Sequence, residues 1–124
     1  MLSGARLCGF VPTTDPAAAK AFYGDQLGLP ILADSPFAVV FDAQGTPLRV
    51  TVVQDAVVAP YTVLGWEVPS ITEAMTDLAD RGIAFERFDG IEQDGLGVWS
   101  APDGARIAWF KDPEGNLLSL AEGP

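Results

Sequence analysis

The chain carries few of the side chains that enzymes use for acid–base or metal chemistry. Histidine, the commonest general base and metal ligand, is absent from all 124 residues. Cys8 is the lone cysteine. A thiol nucleophile needs a base beside it, and the sequence supplies none, so a buried, inert thiol is the expected state. The glycines form neither a G-x-G-x-x-G nor a P-loop pattern, which leaves phosphate without a cradle. Three tryptophans, Trp66, Trp99 and Trp109, are flat surfaces on which an aromatic or sugar-like ligand can stack. The expected division is Trp66 in the core and Trp99 at a ligand. The acidic residues around Glu92, Asp94 and Asp103 are expected to form a solvated loop.

Composition narrows the partners. Hydrophobic residues at 48% and charged residues at 19% exclude a disordered chain. Seven Lys and Arg against 17 Asp and Glu give a formal charge of −10, the wrong sign for displacing counterions from nucleic acid or for holding an anionic membrane surface. Such a field favours cationic ligands at long range. No stretch reaches the ~20 apolar residues that span a bilayer. A single cysteine with no pairing partner, and no leader-like pattern over residues 1–6, lead to the expectation of a cytoplasmic location.

Two helices must position whatever site exists. The first follows Thr13-Thr14-Asp15-Pro16, where any of the three polar residues can cap and Pro16 fits the first turn. Ala18, Ala19, Phe22, Tyr23, Gln26 and Leu27 give it one mostly apolar stripe, and Gly28 ends it. The second opens on Ser70-Ile71-Thr72-Glu73, a capping-box pattern, buries Ile71, Met75 and Leu78, and ends at Gly82. Strand-like segments 6–11 and 62–68 precede the helices. Segments 30–34, 37–43 and 48–54 follow the first, and 83–88, 98–101, 105–111 and 117–121 follow the second. Turn signals separate them at Asp34-Ser35-Pro36, Gln44-Gly45-Thr46-Pro47, Asp103-Gly104 and Pro113-Glu114-Gly115-Asn116. The order reads as β-α-β-β-β twice, an α+β pattern, with the halves offset by about 55 residues and the second longer by about 13 near 89–102. The modules are expected over about 1–56 and 61–124, together one domain over 1–124, because one helix leaves the other face of its sheet uncovered.

With these residues in this order, the chain resembles the vicinal oxygen chelate superfamily of glyoxalase I, bleomycin-resistance proteins and extradiol dioxygenases. The resemblance is carried by Asp15 to Tyr23 with Leu27-Gly28-Leu29, by Gly65-Trp66-Glu67-Val68, and by Ala108 to Leu120 around Asp112-Pro113-Glu114-Gly115-Asn116. It implies two βαβββ modules forming a curved mixed sheet around a central cavity, often within a homodimer. In metal-dependent members four His, Glu or Gln side chains point into that cavity and hold a divalent ion. The matching positions here are Cys8, Thr51, Val63 and Ser119. They lack carboxylate and imidazole, so no metal and no cofactor are expected.

Strand alternation from those positions implies the lining. Phe10 accompanies Cys8, Arg49 and Val53 accompany Thr51, Gly65 and Glu67 accompany Val63, and Leu117 and Ala121 accompany Ser119. Leu7, Gly9 and Val11 then face the helix layer. Trp109 shares a face with Ile107 and Lys111, opposite Ala108 and Phe110, and alternation alone leaves open which of the two faces turns inward. Trp99, in a glycine-bearing stretch, is expected as a wall or lid. Arg49 and Glu67 can pair with each other, lie in water, or meet a ligand, Arg49 gripping a carboxylate through two hydrogen bonds. The expected ligand-binding set is Phe10, Arg49, Glu67, Trp99 and Trp109. The expected role is a metal-independent binding protein for a small organic ligand, resembling the bleomycin-resistance branch. The alternatives are a lyase, isomerase or dioxygenase relative with an unusual or absent metal site, and an interaction module with a filled groove.

Overall fold

The computed structural model describes residues 1–124, which divide into two compact units, Met1–Val58 and Ala59–Pro124. Two helices and eight strands form two mixed four-stranded sheets, an α+β arrangement without a closed barrel.

In the first unit a 3-10 turn, Leu2–Gly4, precedes β1 (Gly9–Thr13). Helix α1 (Pro16–Ala19) follows and continues as a π-helix over Lys20–Gln26. Strands β2 (Ile31–Asp34), β3 (Ala38–Ala43) and β4 (Thr46–Val52) complete the unit in the sheet order β1-β4-β3-β2. Strand β1 lies parallel to β4, and the other pairs are antiparallel. Asp15 is the residue that caps α1, its Oδ1 accepting the Ala18 N–H at 3.1 Å. Thr13 instead braces the approach, its hydroxyl accepting the Asp15 N–H at 3.1 Å.

The uniform apolar stripe expected for the first helix needs correction. Beyond Ala19 the bonds lengthen to the i→i−5 type, as in Leu27 N–H to Phe22 O at 2.9 Å. This wider turn puts the adjacent rings of Phe22 and Tyr23 on the sheet together. The rings meet edge to face at 4.9 Å, and Tyr23 reaches Phe41 at 5.7 Å. Val11, Val39, Leu48 and Val50 close this core. The first strand also starts later than residue 6. Leu7 is 77% exposed rather than turned to the helix, and Cys8 is exposed rather than buried.

The second unit runs β5 (Leu64–Glu67), α2 (Ile71–Asp80), β6 (Trp99–Ser100), β7 (Arg106–Lys111) and β8 (Leu117–Glu122). Its sheet order, β5-β8-β7-β6, again has a parallel β5–β8 pair beside antiparallel pairs. Ser70 caps α2 by accepting the Glu73 N–H at 3.3 Å. The carboxylate that reaches the first helical turn comes from β8, Glu122 accepting the Ile71 N–H at 2.9 Å. Ile71 and Met75 pack with Ala108, Phe110, Leu118 and Leu120. Trp66 is half-buried on this side, stacked on Phe110 at 6.2 Å, at the margin of the core rather than inside it.

Segment 83–88 is not a strand. It keeps one bridge, Phe85 to Phe110. Side chains hold it in place of a ladder: Gln93 accepts the Phe88 N–H at 2.8 Å and donates to Glu86 O and Gly97 O. Asp94 is exposed, as expected of the acidic segment, yet it organises the loop. Its Oδ1 accepts the N–H groups of Leu96, Gly97 and Val98.

The hairpin between β7 and β8 is built on Asp112-Pro113-Glu114-Gly115-Asn116. Asp112, 7% exposed, accepts the Glu114 and Asn116 N–H groups on Oδ1, and Asn116 Nδ2 donates to Oδ2 at 2.7 Å. Gly115, at φ +96°, supplies the left-handed turn position.

Candidate functional site

Each sheet buries one face under its helix and leaves the other open, and the expected ligand-binding residues fall on the open faces. In the first unit the register sets Phe10 beside Arg49 and Arg49 beside Val40, forming one row across three strands. Phe10 is 63% exposed, and Arg49 is exposed at the centre of β4, between buried Leu48 and Val50. The next row holds Pro12, Thr51 and Ala38. Cys8 lies before β1 begins.

In the second unit one row is Gly65, Ser119 and Trp109, and the next is Glu67, Ala121, Ile107 and Trp99. Ala108 and Phe110 are buried on the helix side, as alternation requires, so Trp109 shares the open face with Ile107. The structure brings Trp99 and Trp109 together with ring centroids 6.3 Å apart. Phe88 stands edge-on to Trp109 at 5.4 Å. Thr62 fixes the Trp109 ring by accepting its Nε1–H at 3.1 Å. A Cβ on Gly65 would meet the Ser119 Oγ at 2.6 Å, so a side chain there would require the serine hydroxyl to turn away. Trp99 also walls an open cleft of about 320 Å³ with Glu92, Gln93 and Asp94. Phe88 escaped the sequence reading because residues 83–88 carry a strand-like apolar alternation while the chain there is loop.

Electrostatics separate the faces. Within its own unit, neither Arg49 nor Glu67 forms an ion pair. At the loop beside Trp99, the Asp94 carboxyl is held below its ordinary value, chiefly by the Val98 N–H. The Leu96 and Gly97 N–H groups and the Arg106 guanidinium add to this, against an opposing effect of burial.

The register also corrects one family-equivalent position. Gly9 pairs with Leu48 as Leu64 pairs with Leu118, so Phe10 and Arg49 correspond to Gly65 and Ser119. The counterpart of Ser119 is therefore Arg49, and Thr51 corresponds to Ala121. The corresponding pairs Asp42–Pro47 and Lys111–Leu117 enclose four residues in the first hairpin and five in the second.

With Arg49 or with Thr51, the set Cys8, Val63 and Ser119 does not fit a divalent ion. Valine has no donor atom, a guanidinium repels the cation, and a lone thiol with a hydroxyl is too small a ligand set. In neither unit do three His, Cys, Asp or Glu side chains gather as a metal site. No helix is long and apolar enough to cross a membrane.

Comparison with known proteins places this geometry. The family model for the Glyoxalase/Bleomycin resistance protein/Dioxygenase superfamily matches residues 7–120. Among solved structures, lactoylglutathione lyase from Agrobacterium tumefaciens is 20% identical with a TM-score of 0.75, covering 97% of this chain and 94% of that one. A superfamily member from Sphaerobacter thermophilus is 22% identical with a TM-score of 0.72, covering 98% and 99%. A glyoxalase/bleomycin resistance protein/dioxygenase from Alicyclobacillus acidocaldarius is 21% identical with a TM-score of 0.71, covering 97% and 92%. No match was found among curated proteins. The family match, spanning the capped first helix, both sheets and the Asp112 to Asn116 turn, shows that the chain belongs to the Glyoxalase/Bleomycin resistance protein/Dioxygenase superfamily.

Proposed function

We propose that the protein is a metal-independent binding protein for a small organic ligand, its two units acting as one glyoxalase-like domain over residues 1–124 and as a homodimer. The ligand lies against the open sheet faces, with Trp99 and Trp109 stacking on a ring and Phe10, Arg49 and Glu67 contributing the remaining contacts. The observation that carries this reading is the cluster of half-buried Trp99 and Trp109 with exposed Phe88, anchored by Thr62 on the sheet face opposite the one that buries Ala108 and Phe110. Rings held at fixed angles and left partly in water gain by stacking on a flat guest. The homodimer reading rests on β2, whose Ile31 and Leu32 are 49% and 56% exposed on opposite faces of an edge strand.

The test is a titration of chelator-treated protein with planar aromatic compounds, read by tryptophan emission. Binding is expected to fall about tenfold in Trp99→Ala and to be unchanged by added Zn²⁺, Ni²⁺, Mn²⁺ or Fe²⁺. Binding that requires one of these ions would replace this reading with that of a metal-dependent enzyme. Light scattering on the purified protein tests the dimer.

A further inference from the structure

The cations of the chain are almost all engaged. Lys20 pairs with Asp34, Arg81 with Asp77, Arg106 with Asp94 and Glu122, and Lys111 with Glu86. Arg87 donates to the Asp94 carbonyl at 2.6 Å. Arg6 lies in the exposed segment before β1. Arg49 differs from all of these. It sits at the centre of an interior strand, and its side chain has no hydrogen-bond or ion-pair partner. The sheet around it offers no free anion. Its two acidic residues are Asp34, held by Lys20, and Asp42, whose Oδ1 accepts the Gly45 N–H at 2.6 Å. The flanking positions in the row, Phe10 and Val40, are apolar.

We propose that Arg49 anchors an anionic oxygen group, so that the open face of the first unit takes a small organic monocarboxylate with an aryl or branched-alkyl body. The proposal deepens the binding reading above and rests on it. A guanidinium matches a carboxylate through two parallel hydrogen bonds, and Phe10 and Val40 give the apolar body a surface on either side. The overall charge of −10 opposes approach of an anion only weakly. Screening over about 8 Å at physiological ionic strength removes most of the distant repulsion, whereas the direct contact is made at about 2.8 Å.

The experiment is calorimetric titration with 2-naphthoate and with its uncharged isostere 2-naphthamide. The wild-type protein is expected to bind the acid about tenfold or more tightly than the amide, the range for a hydrogen-bonded charged group. Arg49→Gln is expected to erase that preference and Arg49→Lys to keep part of it. Both variants should melt with the wild type, because Arg49 is exposed. Equal affinity for acid and amide, or an unchanged preference in Arg49→Gln, overturns the proposal. If the amide still binds and Trp99→Ala weakens it, the binding reading survives that failure. If neither compound binds, the proposal fails, and the stacking reading falls with it only if the wider panel of planar compounds is also silent.

Discussion

The two units share one chain path and differ in what they show to solvent. Both run a parallel pair of first and last strands beside antiparallel hairpins, and both cap their helix with a side chain one residue before it starts. Phe41 and Phe110 occupy corresponding core positions, since Val40 faces Arg49 as Trp109 faces Ser119. On the open faces the correspondence ends. Phe10 answers to Gly65, Arg49 to Ser119 and Val40 to Trp109, so one face is a cation among apolar residues and the other is aromatic with a carboxylate at Glu67. Backbone pairing and buried volume constrain one side of each sheet, while the other side is free to diverge. Fold and chemistry are thus written on opposite faces of the same strands.

The largest effects should come from the shared core. Phe41→Ala and Phe110→Ala are each expected to cost about 3–5 kcal/mol, the usual range for deleting a buried ring. Chemical denaturation measures both. A cost well below this for one variant alone would show that the two cores are not equivalent. The hairpins should then separate the units. Asp112→Ala removes three acceptor contacts from a buried turn and should cost about 2–3 kcal/mol. Asp42→Ala removes one contact from the exposed turn at Gln44-Gly45 and should cost about 1 kcal/mol or less. Equal losses would refute the contrast. The smallest effect is expected at Asp94, which has no counterpart in the first unit. Its folded carboxyl titrates below the ordinary value near 3.8. Its contribution is therefore complete above that pH and is lost as pH falls through the lower folded value. Acid titration followed by tryptophan emission should show a local transition there that Asp94→Asn abolishes. Persistence of the transition in that variant would assign it to another group.

Local chemistry made much of this molecule legible from its sequence. Asp15, Ser70 and Asp112 act on backbone groups two to four residues away, so their roles follow from neighbours in the chain. The alternation grouped Trp109 with Ile107 against Ala108 and Phe110, but which of the two faces turns to the helix is decided by the burial of Ala108 and Phe110. The failures lie where distant residues decide. Residues 83–88 alternate like a strand, but Gln93 takes the Phe88 N–H and the Glu86 carbonyl, and one bridge remains. Cys8 resembles a strand residue, yet β1 starts one position later because β4 offers its first partner, Leu48, to Gly9. Thr51 stands two positions from Arg49, the register counterpart of Ser119, because strand pairing rather than spacing along the chain decides the correspondence.

The inner placement of β4 and β8 bears on how the chain is made. In the first unit every strand has left the ribosome once residue 52 has cleared the exit tunnel, and β4 can then slot between β1 and β3 while synthesis continues. In the second, β8 is both the last strand and an inner one, and it also delivers Glu122 to the start of α2. Until residue 122 emerges, β5 has no strand to pair with and the nascent half waits with its hydrophobic face uncovered, a window in which a chaperone has something to hold.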